Sequence, residues 1–218
     1  MTRFLIITGF FLLTISSVNA TETTTLNTAE QQALESQLVA HYRDTVKKFG
    51  GTLLKELQSS LQQDGAISTI AVCNEKAPQI AKILAEENNL SLKRISLKNR
   101  NAHNGVLTDS QEATVLQSFV ERQAKGEDLS KVEQLTKIEK DGQTYYQFMK
   151  AIPTGAVCLT CHGEKVDAVL YDKIKAYYPD DKAIGFKEGE LRGAFLITQP
   201  VSQVIELYKQ GKLPAVTP

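Results

Sequence analysis

Leu135-Thr136-Lys137-Ile138-Glu139-Lys140-Asp141-Gly142-Gln143-Thr144-Tyr145-Tyr146-Gln147-Phe148-Met149-Lys150-Ala151-Ile152 reads as two strands joined by a tight turn. Asp141-Gly142 supplies the two positive φ angles that a type I′ hairpin needs, and Tyr145, Tyr146 and Phe148 suit a pleated surface. Working outward, Leu92 to Leu97 and Glu190 to Thr198 are two further strands. Pro200 then stops the last strand before a short C-terminal helix. Strands and helices do not alternate as βα units, which excludes a doubly wound parallel sheet. The expected class is α+β, one antiparallel sheet with helices packed around it.

The first part of the chain is helical. From Thr28, a plausible N-cap, Leu34, Leu38, Val46, Phe49, Leu53, Leu54, Leu57 and Leu61 recur at helical spacing as far as Asp64-Gly65. Gly50-Gly51 is placed to bend or split that helix, at about 1 kcal/mol per glycine. A second helix is expected from Ala66 to Glu87, with Ile70, Cys73, Ala77, Ile80 and Leu84 on one face. Pro78 crowds the Asn74 carbonyl and predicts a kink just after Cys73. Thr108 or Asp109, with Glu112 completing a capping box from Asp109, starts a helix that runs to Lys125-Gly126. Glu164 to Tyr178 is a further short helix, ended by Pro179.

The hairpin runs through Pro153-Thr154-Gly155 into Cys158-Leu159-Thr160-Cys161-His162. C-x-x-C-H is the attachment signature of c-type haem: the thiols add to the two vinyl groups and the histidine becomes an axial ligand. The N-terminus agrees with that cofactor. Arg3, the apolar run Phe4–Ile15 and the small residues Val18-Asn19-Ala20 read as a cleavable signal peptide, and c-type haem is attached outside the cytoplasm. The expected location is the periplasm or another exported compartment. No later apolar run approaches about 18 residues, so no membrane span is expected after cleavage.

Charge is balanced, with 25 basic and 25 acidic residues and no dense cationic cluster, which argues against a nucleic-acid partner. The cysteine count is three, so pairing all of them within the chain is impossible. With Cys158 and Cys161 consumed by thioethers, Cys73 is left over, and an exported free thiol needs burial or a ligand role. A zinc knuckle lacks a fourth nearby ligand, and adjacent Cys161 and His162 do not readily bind one ion. A thioredoxin-type disulfide belongs early in a βαβ unit, not after a hairpin late in the chain. A non-haem periplasmic ligand-binding or interaction module remains the alternative. Four side chains are candidates for the sixth iron position: Cys73, Met149, His103 and His41. Met149 on a strand reads as packing, and His41 beside Arg43 and Asp44 as a solvated surface residue.

Four separated motifs carry a resemblance. Ala71-Val72-Cys73-Asn74-Glu75-Lys76-Ala77-Pro78 and Arg94-Ile95-Ser96-Leu97-Lys98-Asn99-Arg100-Asn101 join the Cys158–Gly163 stretch and Gly189-Glu190-Leu191-Arg192-Gly193-Ala194. Together, over about Leu34 to Val201, they resemble the c-type haem family of PAS-like domains. The resemblance implies a PAS-like antiparallel sheet flanked by helices, one covalent haem, and axial ligation by His162 and Cys73. Where that family would have proline in the Arg100-Asn101 loop, this chain has Ala102-His103, which keeps His103 as the alternative ligand. The expected organisation is a signal peptide over 1–20, a leader over 21–27, one haem-binding PAS-like domain over 28–210 and a tail over 211–218.

A thiolate ligand favours ferric iron and a low potential. Filled axial positions argue against an enzyme, and leave electron transfer or sensing, in which reduction releases Cys73 and a diatomic gas can enter. Either role calls for a redox or signalling partner protein.

Overall fold

The computed structural model describes residues 26–107 and 110–216. The signal-peptide reading, most of the leader and the Thr108/Asp109 cap fall outside the described residues.

Helix α1 spans Thr28–Gln63. Its cap is Asn27 rather than Thr28: the Asn27 side chain accepts from the Glu30 N–H at 3.0 Å, and Glu30 accepts from the Asn27 N–H at 2.8 Å. This reciprocal box satisfies two donors that a helix start otherwise leaves open. The glycine pair does not interrupt the helix. A Cβ on Gly50 would lie 3.4 Å from the Phe195 ring, so this part of α1 faces the sheet at contact distance. Leu34, Leu38, Tyr42, Val46 and Phe49 are buried before that point, and the leucines beyond it are half-buried or exposed.

The expected helix over Ala66–Glu87 is three pieces: α2 (Gly65–Ala71), a π turn (Val72–Lys76) and α3 (Ala77–Asn88). The kink predicted after Cys73 takes the form of this π turn, which contains Cys73. Pro78, near the start of α3, has no N–H to give, and the wider turn lets its ring clear the preceding carbonyl. The inserted residue also splits the supposed single apolar face. Ile70 of α2 packs with Leu170, Ile174 and Tyr178, whereas Ala81 of α3 packs on the sheet beside Leu34 and Leu92.

The remaining elements are β1 (Ser91–Ile95), α4 (Gln111–Ala124), β2 (Glu133–Lys140), β3 (Gln143–Pro153), α5 (Leu159–His162), α6 (Ala168–Tyr177), β4 (Leu191–Pro200) and α7 (Val201–Lys209). Ser110 caps α4, its side chain accepting from Ala113 N–H. The strand expected over 92–97 ends at Ile95, because the Ser96 hydroxyl turns to the carbonyls of Lys98 and Arg192. Residue α6 starts from is Ala168 rather than Glu164, behind the cap Asp167.

The four strands form one antiparallel sheet in the order β1-β4-β3-β2. The hairpin closes as read, with Lys140 opposite Gln143 and positive φ at Asp141 (51°) and Gly142 (73°). Both sheet faces are covered, so β3 is buried on both sides. Tyr146, Phe148 and Ile197 meet α1 and α3, while Met149, Ala151 and Leu196 meet Val115, Leu116 and Phe119 of α4. Leu213, in the segment expected as a tail, is buried in the first of these clusters. Among the described residues no helix is long and apolar enough to cross a membrane.

Candidate functional site

Cys158 ends a 3₁₀ turn (Ala156–Cys158), and Leu159–His162 is one turn of α-helix. That compact geometry places the two thiols and the imidazole on consecutive turns between β3 and α6. All three cysteines are free and half-buried. Cys73 and Cys158 are both close enough for their charge to act on Cys161, whose thiol is pushed up, chiefly by burial, against a lowering by Arg100. A raised thiol is the opposite of what a redox-active Cys-x-x-Cys pair requires. Among the described residues no group of three or more His, Cys, Asp or Glu is placed to hold a bare metal ion.

His162 is held from behind. Its Nδ1 lies 2.7 Å from the Ala183 carbonyl oxygen, which can only accept, so Nδ1 carries the proton and Nε2 keeps its lone pair. A histidine that ligates a metal almost always has its other nitrogen engaged in this way. Burial, then Arg192 and Arg100, holds the imidazole pKa well below its ordinary value. The ring of Phe186 stands edge-on to it, with centroids 6.4 Å apart.

A buried pair that the sequence reading missed ties this turn to the rest of the fold. Arg100 faces Asp181 at 3.1 Å, with side chains 10% and 0% exposed. The contact is an ion pair whose alignment falls short of a hydrogen bond, since Asp181 Oδ2 has no hydrogen-bond partner. Arg100 also donates to the Cys161 carbonyl at 2.6 Å, and Asp181 accepts from Ala183 N–H at 2.9 Å. One ion pair thus positions both the backbone of the second cysteine and the carbonyl that orients His162. Arg100 lay in a motif quoted above; Asp181, between Pro179 and Phe186, carried no signal of its own.

Tyr178 donates from its hydroxyl to Asn74 Oδ1 at 2.9 Å, bracing the π turn at the residue next to Cys73. Cys73 is close enough to raise the Tyr178 phenol, although burial is the larger cause. The fold therefore puts Cys73 within electrostatic reach of Cys161. Met149 is elsewhere, fully buried against α4. His103 is exposed on a 3₁₀ turn (Ala102–Asn104). His41, read as a solvated surface residue, is half-buried, and its Nε2 is buried without a hydrogen-bond partner. Burial lowers its pKa.

A family model described as Tll0287-like matches residues 15–200. The chain belongs to the Tll0287-like family. A crystal structure of the cyanobacterial heme-protein Tll0287 matches the fold with a TM-score of 0.56 at 23% identity, over 76% of this chain and 96% of that one. No curated protein matches the chain. The Tll0287-like family is the PAS-like c-type haem family that the motifs resemble, and the sheet flanked by helices behind a long N-terminal helix is its fold.

The side chains fit a covalently held haem. Two free thiols sit one helical turn apart, the histidine beside them has its far nitrogen tied and its near one free, and a third thiol comes from another element.

Proposed function

We propose that this chain is an exported, monohaem c-type cytochrome-like protein acting in redox or gas sensing or in electron transfer. The observation that carries the reading is the convergence of Cys73 on the Cys158–His162 turn while His162 Nδ1 is tied to Ala183. Cys158 and Cys161 would hold the porphyrin through thioethers, and His162 Nε2 and the Cys73 thiolate would occupy the axial positions. A bound haem supplies one-electron chemistry at its iron. The Arg100–Asp181 pair keeps the His162 side of the site rigid, as an electron carrier needs. Cys73 instead sits on a π turn, a helix irregularity frequent at functional sites, and so is the ligand placed to leave in a sensor.

Expression with a haem c maturation system tests the cofactor directly. Haem retained through acid-acetone extraction is expected; its loss overturns the reading in favour of a non-haem module. Cys73→Ser is expected to abolish the low-spin ferric thiolate signature. An unchanged spectrum would remove Cys73 and make His103→Ala the next variant. Rapid CO binding by the reduced protein assigns sensing, and its absence with fast exchange to a small cytochrome assigns electron transfer.

A further inference from the structure

Three arginines from separate segments lie within electrostatic reach of His162: Arg94 on β1, Arg100 in the loop after it, and Arg192 on β4. They are close enough that Arg94 and Arg100 both act on Arg192, and all three act on His162. Guanidinium groups repel one another and lose solvation when gathered in a partly buried place, so such a cluster needs anions. The arginine ion pairs among the described residues involve Arg43, Arg100 and Arg122. Arg100 is answered by Asp181, which leaves Arg94 and Arg192.

The local contacts of these two do not neutralise them. Arg192 uses Nη1 on two long contacts of 3.3 Å, to Ser96 Oγ and the Lys98 carbonyl, and its guanidinium stands 5.2 Å from the Phe186 ring centroid. Arg94 stands 5.8 Å from the Phe49 ring centroid. Burial and the neighbouring arginines lower the Arg192 pKa to about 10, so it stays cationic at neutral pH. The groups that act on it with the opposite sign are the thiols of Cys73 and Cys158. Thioether formation would remove the Cys158 charge, and iron would take up that of Cys73.

Backbone geometry holds Arg192 in place. A Cβ on Gly193, the next residue, would fall 2.2 Å from the Ile95 carbonyl oxygen, so only glycine lets β4 approach β1 here. The glycine of the Arg192-Gly193 motif thus brings Arg192 to the strand that carries Arg94.

We infer that Arg94 and Arg192 are the anchors for the two propionate carboxylates of the haem, one uncompensated guanidinium for each. This rests on the haem reading above. Two carboxylates supply negative charge that these two guanidiniums lack, and a guanidinium fork meets a carboxylate through paired hydrogen bonds. Arg100, already paired with Asp181, stays with the Cys-x-x-Cys-His turn.

The holoprotein provides the test, through resonance Raman measurement of the propionate-bending bands. Arg192→Gln and Arg94→Gln are each expected to shift one band, and the double variant both, while haem stays covalently attached and the axial signature is unchanged. Arg192→Lys keeps the charge without the fork, covers the case in which Arg192→Gln does not fold, and is expected to shift its band part-way. Unshifted bands in the double variant overturn the assignment. So does a changed thiolate signature with unshifted bands, which would give Arg192 to Cys73 instead. A wild-type protein without covalent haem fails at the earlier step, the haem reading itself.

Discussion

The two faces of the sheet and the turn that carries Cys158–His162 are built on different terms. Between α1 and the sheet, Leu34, Leu38, Tyr42, Phe49 and Phe148 are essentially inaccessible to water, and the Tyr42 hydroxyl is satisfied by Gln199 at 2.9 Å. Around the Cys-x-x-Cys-His turn, the three cysteines and His162 are only half-buried, and two arginines have no carboxylate partner among the described residues. The core is finished by its own side chains. The site is polar and built largely from turns. Stability should therefore reside in the first region, and cofactor chemistry in the second.

The largest expected break in that contrast is Phe148→Ala. Removing a fully buried ring between α1 and the sheet should cost about 3–5 kcal/mol in urea unfolding of the haem-free protein. Cys73→Ser should leave that same unfolding curve nearly unchanged, and a loss comparable to Phe148→Ala would erase the distinction. Asp181→Ala sharpens it from the other side. It strands the buried Arg100 charge and should cost about 3 kcal/mol, with the effect reaching His162 as a heterogeneous axial environment in the loaded protein. A destabilised protein with an unperturbed His162 would show that the pair is structural only.

Smaller effects lie farther from the site. Asn27→Ala removes the capping box of α1 and should cost about 1 kcal/mol, without touching the haem spectrum. Beside the deeper depression at His162, His41 gives one part of the pH dependence. Burial lowers its folded-state pKa below the 6.5 of the unfolded chain, so the unfolded chain takes up the proton first as pH falls. Stability should therefore be full above pH 6.5 and decline below it. His41→Leu should lessen that decline in urea midpoints measured on either side, leaving the part due to His162, and a wild-type midpoint independent of pH would contradict it.

Much of the fold was legible because the signals were local. Asp141-Gly142 needs only its own two residues to select a type I′ turn, and the alternation on either side sets the register that places Leu135 opposite Phe148. The π turn was half legible. Pro78 announced trouble for the helix, but whether it would kink or widen depended on what each half packs against. The Asn27 cap was missed by one position, because both Asn27 and Thr28 are good caps and only the reach to Glu30 decides between them.

The sequence by itself determined the cofactor reading, the class of fold and the leftover thiol, because each rests on residues a few positions apart or on a count. Tertiary structure alone decided what surrounds them. Asp181 meets Arg100, Tyr178 meets Asn74, and Arg94 comes within electrostatic reach of Arg192 on a strand that pairs with β1 only in the folded sheet. Charge and hydrogen bonding act through space, so partners distant along the chain leave no periodicity to read. For β1 and β4, the approach of the strands is set by their register and by the one glycine that lets them come close.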